Sequence, residues 1–378
     1  MYPIPYFINI LPSLFLSKND FSLLTDNDWK NFSYYINRHG LTSLFIEKTR
    51  QVNIDIPEHG KNLLIQSAKK IITRNLYIIS VLSELKTFFD NDNIPFILFK
   101  GTALSQLLYD NPCLRHSVDI DLLMRPHDAD KARNILLNKG AVEYGNVQHK
   151  FIIENMPHDK PLYFKNVLIE IHSKLYSGKK QYTFTNTSTW LNTIDINIGD
   201  NLYKTLNPVY YLFYLCSHAQ HHLSTGRLKL LWYIDISILA ERFFNNQLHE
   251  IISENIKTNP VKTDVITTLH IVKKYVNPLL DIKTETANNR DIIRSAKKFI
   301  LLVKSKNVDN LDYYKGVWKS LSLINKSKYL FSIFYPSLSY IKSKHNITSN
   351  IKAIFLLFIN PFRVILKTFY SLLNKPSR

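Results

Sequence analysis

Residues 94–124 read IPFILFKGTALSQLLYDNPCLRHSVDIDLLM, and no other stretch constrains the chain as tightly. An apolar run, Ile94–Phe99, ends in Lys100-Gly101-Thr102, as a buried strand does when it turns into a helix. Ala103–Tyr109 has helical composition, and Asp110-Asn111-Pro112 stops it. Val118–Met124 then alternates as a second strand. Asp119 and Asp121 share one face, and Ile120 and Leu122 take the other. Two carboxylates on an otherwise apolar strand are costly unless something pairs them. A divalent ion, Mg²⁺ or Mn²⁺, is the partner that costs least. The two acids repel each other, so losing either one is expected to leave the melting temperature equal or higher.

A lone Asp-x-Asp also occurs where a strand end meets solvent, but this one has company. Gly101 and Thr102 offer backbone N–H groups and a helix N-terminus to a phosphate. Lys100 and Arg115 bracket the pair with positive charge. A third acid, Glu170, sits in the apolar run Val167–Ile171, and His172 shares its strand face. His172 reads as a residue beside the metal or facing an acceptor, not as a ligand.

Strand, Gly-Thr, helix, then Asp-x-Asp on the next strand and one acid on a later strand resembles the DNA polymerase β-type nucleotidyltransferase superfamily. Within it, Leu98-Phe99-Lys100-Gly101-Thr102-Ala103-Leu104, Leu114-Arg115, Asp119-Ile120-Asp121-Leu122-Leu123 and Ile169-Glu170-Ile171-His172 resemble a bacterial family of uncharacterised nucleotidyltransferases. A His-rich helix leading into Trp232-Tyr233-Ile234-Asp235 fits the same family. The gap from Gly101 to Asp119 is longer than in minimal members, so the helix or the turn after it is extended.

The resemblance implies an α/β (α+β) fold, a small mixed sheet with helical parts before and after it. It implies a Mg²⁺-dependent enzyme that moves a nucleoside monophosphate from an NTP to a hydroxyl or phosphate acceptor. The acceptor would be a small molecule, glycan, peptide or tRNA. Asp119, Asp121 and Glu170 would hold metal. Gly101 and Thr102, helped by Lys100 or Arg115, would cradle phosphates. Two other classes stay open: a toxin-like enzyme that modifies tRNA ends, and a non-catalytic nucleotide-binding protein.

The rest of the chain divides in four: a helical lead-in over 1–90, the catalytic core over 91–200, a helical domain closing the cleft over 201–310, and a basic helical segment over 311–378. In the lead-in, Asp26-Asn27-Asp28 reads as a cap, and Leu64, Ala68, Ile71, Ile79, Leu82, Leu85 and Phe88 follow helical spacing. His39 and Arg74 read as surface or capping residues. Residues 148–156 and 161–175 read as strands. His218 and His222 are four apart on one helix face, a zinc-like spacing without a glutamate between them. Asp235 is expected to orient a histidine there.

Two cysteines, Cys113 and Cys216, form no disulfide framework and point to a reducing, cytoplasmic setting; no signal peptide is expected. Formal net charge is +18, and from Tyr313 to Arg378 there are eleven Lys or Arg and no Asp or Glu. That segment is expected to meet an anionic partner, a membrane face or RNA, unless its apolar side packs on the core. The apolar run Ala353–Ile359 is expected to end at Asn360-Pro361.

Overall fold

The computed structural model describes residues 10–11, 21–51, 56–143, 161–176, 180, 186–244, 247–256, 259–281, 289–305, 326–327, 331, 334–336, 338–345 and 347–373. The strand expected over 148–156 lies outside them.

After a 3₁₀ turn at Phe21–Leu23 come three α-helices: α1 (Asp26–Arg38), α2 (Thr42–Gln51) and α3 (Glu58–Asn91). The α1 cap is Thr25, one residue earlier than expected. Its hydroxyl accepts from the Asp28 N–H, and the Asp28 carboxylate accepts from the Thr25 N–H, a reciprocal capping box. Then follow β1 (Ile97–Phe99), α4 (Gly101–Tyr109), β2 (Asp119–Leu123), α5 (Pro126–Asn138), β3 (Val142–Glu143), β4 (Leu162–Phe164) and β5 (Val167–His172). The single strand expected over 161–175 is a hairpin. Lys165 and Asn166 both take positive φ, the geometry a two-residue turn needs between twisted strands.

Helix α6 (Asn186–Leu191) leads to a second hairpin, β6 (Thr193–Ile198) and β7 (Asn201–Leu206), turning at Gly199-Asp200. Helices α7 (Pro208–Ser224), α8 (Leu230–Phe243), α9 (Leu248–Ile256), α10 (Lys262–Tyr275), α11 (Asn289–Lys304), α12 (Leu338–His345) and α13 (Asn350–Leu373) complete the described chain. Among the described residues no helix is long and apolar enough to cross a membrane.

The seven strands form one mixed sheet in the order β3-β4-β5-β2-β1-β7-β6. The pairs β2–β5 and β1–β7 are parallel; the other pairs are antiparallel. This is the expected α/β class with a mixed sheet.

Strand alternation sorts the core into two clusters. Leu98, Ile120, Leu122, Ile169 and Ile171 face Ile78, Val81, Leu82, Leu85 and Phe89 of α3. The buried face of α3 includes Ile78 and Phe89, while Leu63, Ile72 and Leu76 stay exposed. Ile97, Phe99 and Leu123 join the other cluster, with Tyr211 and Leu215 of α7, Leu231 of α8 and Phe299 of α11. Each fully buried Leu or Phe contributes about 1.5–3 kcal/mol by leaving water. Asp119, Asp121, Glu170 and His172 therefore project toward α7 and α8, at the boundary between sheet and helices.

Of three other expectations, Arg74 is at the surface as expected, His39 fits in part, and the end of the last helix does not. His39 does cap the end of α1, but it is fully buried. Its Nδ1 accepts from the Leu230 N–H and its Nε2 lies 3.2 Å from the Val303 carbonyl, so it ties α1 to α8 and α11. Arg74 reaches the Asn166 carbonyl at 2.8 Å from the surface of α3. Helix α13 does not stop at Asn360-Pro361. It runs through Pro361, which costs one backbone bond, while Asn360 Nδ2 donates to the Phe334 carbonyl and pins the helix there.

Candidate active site

Sheet register brings the expected acids together. Phe99 lies opposite Asp121 across the antiparallel pair, and Asp121 lies beside Glu170 across the parallel pair. One step on, Leu123 is level with His172. His172 Nε2 sits 2.9 Å from Asp121 Oδ1 and 3.5 Å from Glu170 Oε2. Among the described residues, Asp121, Glu170 and His172 can each turn a ligand atom to within 4.8 Å of the others, a spacing that suits one metal ion. Asp119 lines the same cavity from the exposed end of β2 but is not a member of that group.

At the β1–α4 junction, Lys100 holds φ +60°, an unusual conformation for a residue with a side chain. Its ammonium donates to Asp121 Oδ1 at 2.7 Å and rests over the Phe99 and Tyr214 rings, 5.1 and 5.6 Å from their centroids. Burial opposes this charge, but Asp121 outweighs it and holds Lys100 above the usual lysine range. Burial likewise opposes the Asp121 carboxylate. Lys100 and His172 outweigh it and hold Asp121 well below the usual carboxylate range. Asp119 goes the other way: burial first, then Asp121 and Glu170, push its carboxyl up to about 7. The floor of the site thus carries more negative charge than its own cations neutralise, and such a donor set fits a divalent ion.

Gly101 follows at φ +37°, and a Cβ there would sit 2.8 Å from Ser117 Oγ. Only glycine fits this close approach. Thr102 is buried in the first turn of α4 and does not line the cavity.

The long gap between Gly101 and Asp119 is taken up after α4. Asp110 turns left-handed at φ +53°, and residues 111–117 form a loop. Asn75, buried on α3, clamps that loop. Its Nδ2 donates to the Cys113 and Arg115 carbonyls at 2.7 and 2.8 Å, and its Oδ1 accepts from the Ser117 N–H at 3.3 Å. Three otherwise orphaned backbone groups are satisfied by one side chain. The loop presents Arg115, whose Nε donates to Asp235 Oδ2 at 2.8 Å. Asp235 Oδ1 in turn accepts from the Tyr109 hydroxyl at 2.6 Å. Asp235 therefore orients an arginine, not the histidine expected from sequence.

The acids open into a cavity of about 480 Å³. Opposite them stand Tyr176, Lys180, Tyr214, Ser217, His218, His221, His222, Arg227, Lys229 and Trp232. Lys180 is paired with Asp264, which also accepts from the Ser217 hydroxyl at 2.7 Å. His218 and His222 lie 4.4 Å apart by ring centroid and both contact Trp232. Burial pulls both well below the usual histidine range, so they are neutral aromatic lining. The zinc-like pair finds no third ligand among the described residues, since Asp235 is committed to Arg115 and Tyr109.

Lys229 was not singled out from the sequence. It is mostly buried at the start of α8, and its ammonium makes no hydrogen bond or ion pair among the described residues. Burial, then the Arg115 guanidinium, pull it below the usual lysine range. Lys100, Arg115 and Lys180 each have a carboxylate of the protein's own. Lys229 lines the cavity with no carboxylate in ion-pair contact among the described residues.

Residues 25–277, about two thirds of the chain, match a family described as uncharacterised nucleotidyltransferase. Among solved structures, the crystal structure of ANT(2")-Ia in complex with adenylyl-2"-tobramycin is similar at 9% identity with a TM-score of 0.37, over 47% of this chain and 97% of that one. No curated protein matches the chain. By the span and position of the family match, which includes β1, β2 and β5 with all of their acids, the chain belongs to the uncharacterised nucleotidyltransferase family.

Proposed function

We propose that this protein is a cytoplasmic, metal-dependent nucleotidyltransferase that moves a nucleoside monophosphate from an NTP to a hydroxyl or phosphate acceptor. The observation that carries the proposal is the Asp121–Glu170–His172 group on adjacent parallel strands at the floor of a cavity, with Asp119 beside it. The acceptor oxygen forms its bond to the α-phosphorus as the bond from that phosphorus to the β-phosphate oxygen breaks. Pyrophosphate leaves with the electron pair, and a hydroxyl acceptor loses its proton to solvent. Such transfer needs charge neutralisation and alignment more than a protein nucleophile.

Asp121 and Glu170, with Asp119, would hold Mg²⁺ or Mn²⁺, which when bound supplies positive charge to the triphosphate and lowers the pKa of an attacking hydroxyl. The remaining work falls to the chain. Asp121 Oδ1 is spent on Lys100 and His172, so its orientation is set and Oδ2 is left for the ion. The Gly101 turn keeps the backbone open to a phosphate at the start of α4. Arg115, held by Asp235, and Lys229 give that side of the cavity the positive charge a triphosphate requires. Helices α7 and α8 would close over the sheet, with Tyr176, Ser217 and His221 facing the acceptor.

The test is pyrophosphate release from each NTP with Mg²⁺, in the presence of small-molecule, glycan, peptide and tRNA acceptors. Release that falls at least about a hundredfold in Asp121→Ala and in Glu170→Gln supports the proposal, because losing one metal carboxylate costs roughly 3 kcal/mol or more of transition-state stabilisation. No release from the wild type with any acceptor, or equal release from the variants, overturns it.

A further inference from the structure

We propose that helix α13 seats this protein on an anionic lipid surface. Among the described residues the helix is held by one side. Ala353 and Asn360, which lie close together around the helix axis, are buried, and its main packing partner among the described elements is α12. The opposite side is apolar and open. Ile351, Phe355, Phe358, Phe362, Ile365 and Leu366 are each 56–81% exposed. Their spacing of three and four residues puts all six on one face, which extends for about 22 Å at the rise of an α-helix. Lys352 and Arg363 are exposed along one edge of that face. An apolar strip bordered by bases, on a helix unable to span a bilayer, is the arrangement of a helix lying in a membrane interface.

Charge decides among occupants. From Tyr313 to Arg378 there are eleven bases and no acid. A second copy of the same face would bring like charge against like charge, which disfavours a symmetric dimer through α13. Single-stranded nucleic acid would satisfy the bases and stack on the phenylalanines, but it offers no apolar environment to Ile351, Ile365 and Leu366. An anionic bilayer satisfies both. It takes the apolar side chains below the headgroups and attracts the bases to its surface charge. Six exposed large apolar side chains on one helix face form the kind of contiguous patch that marks an interaction site.

The experiment is vesicle flotation of the full chain, with phosphatidylcholine alone and with phosphatidylcholine containing phosphatidylserine. The wild type is expected to float with the anionic vesicles and to stay at the bottom with the neutral ones. Phe355→Ser/Phe358→Ser/Phe362→Ser should lose flotation roughly tenfold or more, and Lys352→Glu/Arg363→Glu should lose the preference for anionic lipid. All substituted positions are solvent-facing, so unchanged circular-dichroism melting will show that the variants fold. A wild type that floats with neither vesicle overturns the proposal. So does sedimentation velocity showing a dimer that the triple phenylalanine variant abolishes, which would assign the face to a second copy. Retention on RNA by wild type and triple variant alike, without flotation, would assign the bases to nucleic acid and likewise overturn it.

Discussion

The Lys100 ammonium donates to Asp121 Oδ1 at 2.7 Å, with the two side chains only 17% and 1% exposed. That contact reverses an expectation for Asp121. The acid is not merely one of a repelling pair, because it is the counter-ion of a buried lysine. Asp121→Ala should abolish transfer and also lower stability by about 3 kcal/mol, since removing one partner leaves the other buried and uncompensated. Adding Lys100→Met should return most of that stability without returning activity. Urea unfolding of the two single variants and the double variant checks the coupling.

Asp119 keeps the original expectation, with a pH dependence. Its carboxyl is pushed up to about 7 in the folded protein, so the folded state favours the protonated form. The penalty is absent below the unfolded value near 4 and fully present above about 7. Asp119→Asn should therefore stabilise the metal-free protein at pH 8 by up to about 4 kcal/mol and hardly at all at pH 4. Equal stabilisation at both pH values would remove the electrostatic explanation.

Gly101→Ala combines two costs that can be separated. Positive φ disfavours alanine by about 1 kcal/mol, and its Cβ would meet Ser117 Oγ at 2.8 Å. Gly101→Ala/Ser117→Ala should recover the collision but not the backbone term. Chemical denaturation should place the double variant between the wild type and Gly101→Ala.

His39 predicts acid sensitivity. Burial pulls its imidazole down to about 4, and the neutral ring is the one that accepts from the Leu230 N–H. The unfolded chain takes up the proton first, so stability present above about pH 6.5 is lost as pH falls toward 4. The contribution is up to about 3 kcal/mol. His39→Gln should be less stable at pH 7 and show a flatter profile between pH 6.5 and 4.

Lys229 lines the cavity without an ion-pair partner among the described residues, which suits it to an external anion. Lys229→Gln should raise the KM for NTP about tenfold or more while kcat changes less than about threefold, the mark of lost binding rather than lost chemistry. Lys229→Arg should restore part of the affinity. Steady-state kinetics at saturating acceptor separates these outcomes.

Much of the fold and of the site was legible from local pattern. Alternation in Asp119-Ile120-Asp121-Leu122 sent the acids and the apolar residues to opposite faces, and the sheet keeps them there. The β6–β7 hairpin was also written in alternation, through Thr193–Ile198, the Gly199-Asp200 turn and Asn201–Leu206, yet it was not read as strands. Polar residues at alternate positions match strands with one face toward solvent, so this hairpin was legible locally. Asn75 and Lys229 left no local trace. One is an ordinary polar residue in a long helix, the other a lysine among 48 basic residues.

The sequence by itself determined the strand–Gly–helix turn, the acid pair and the missing negative charge after Tyr313, because each depends on residues near one another in the chain. Tertiary structure alone decided the partners: Lys100 with Asp121, Arg115 with Asp235, Asn75 with the loop 111–117, His39 with Leu230. These join residues 21 to 191 positions apart. Which buried charge meets which counter-charge is set by how the sheet and helices close on each other, and no local spacing encodes that closure.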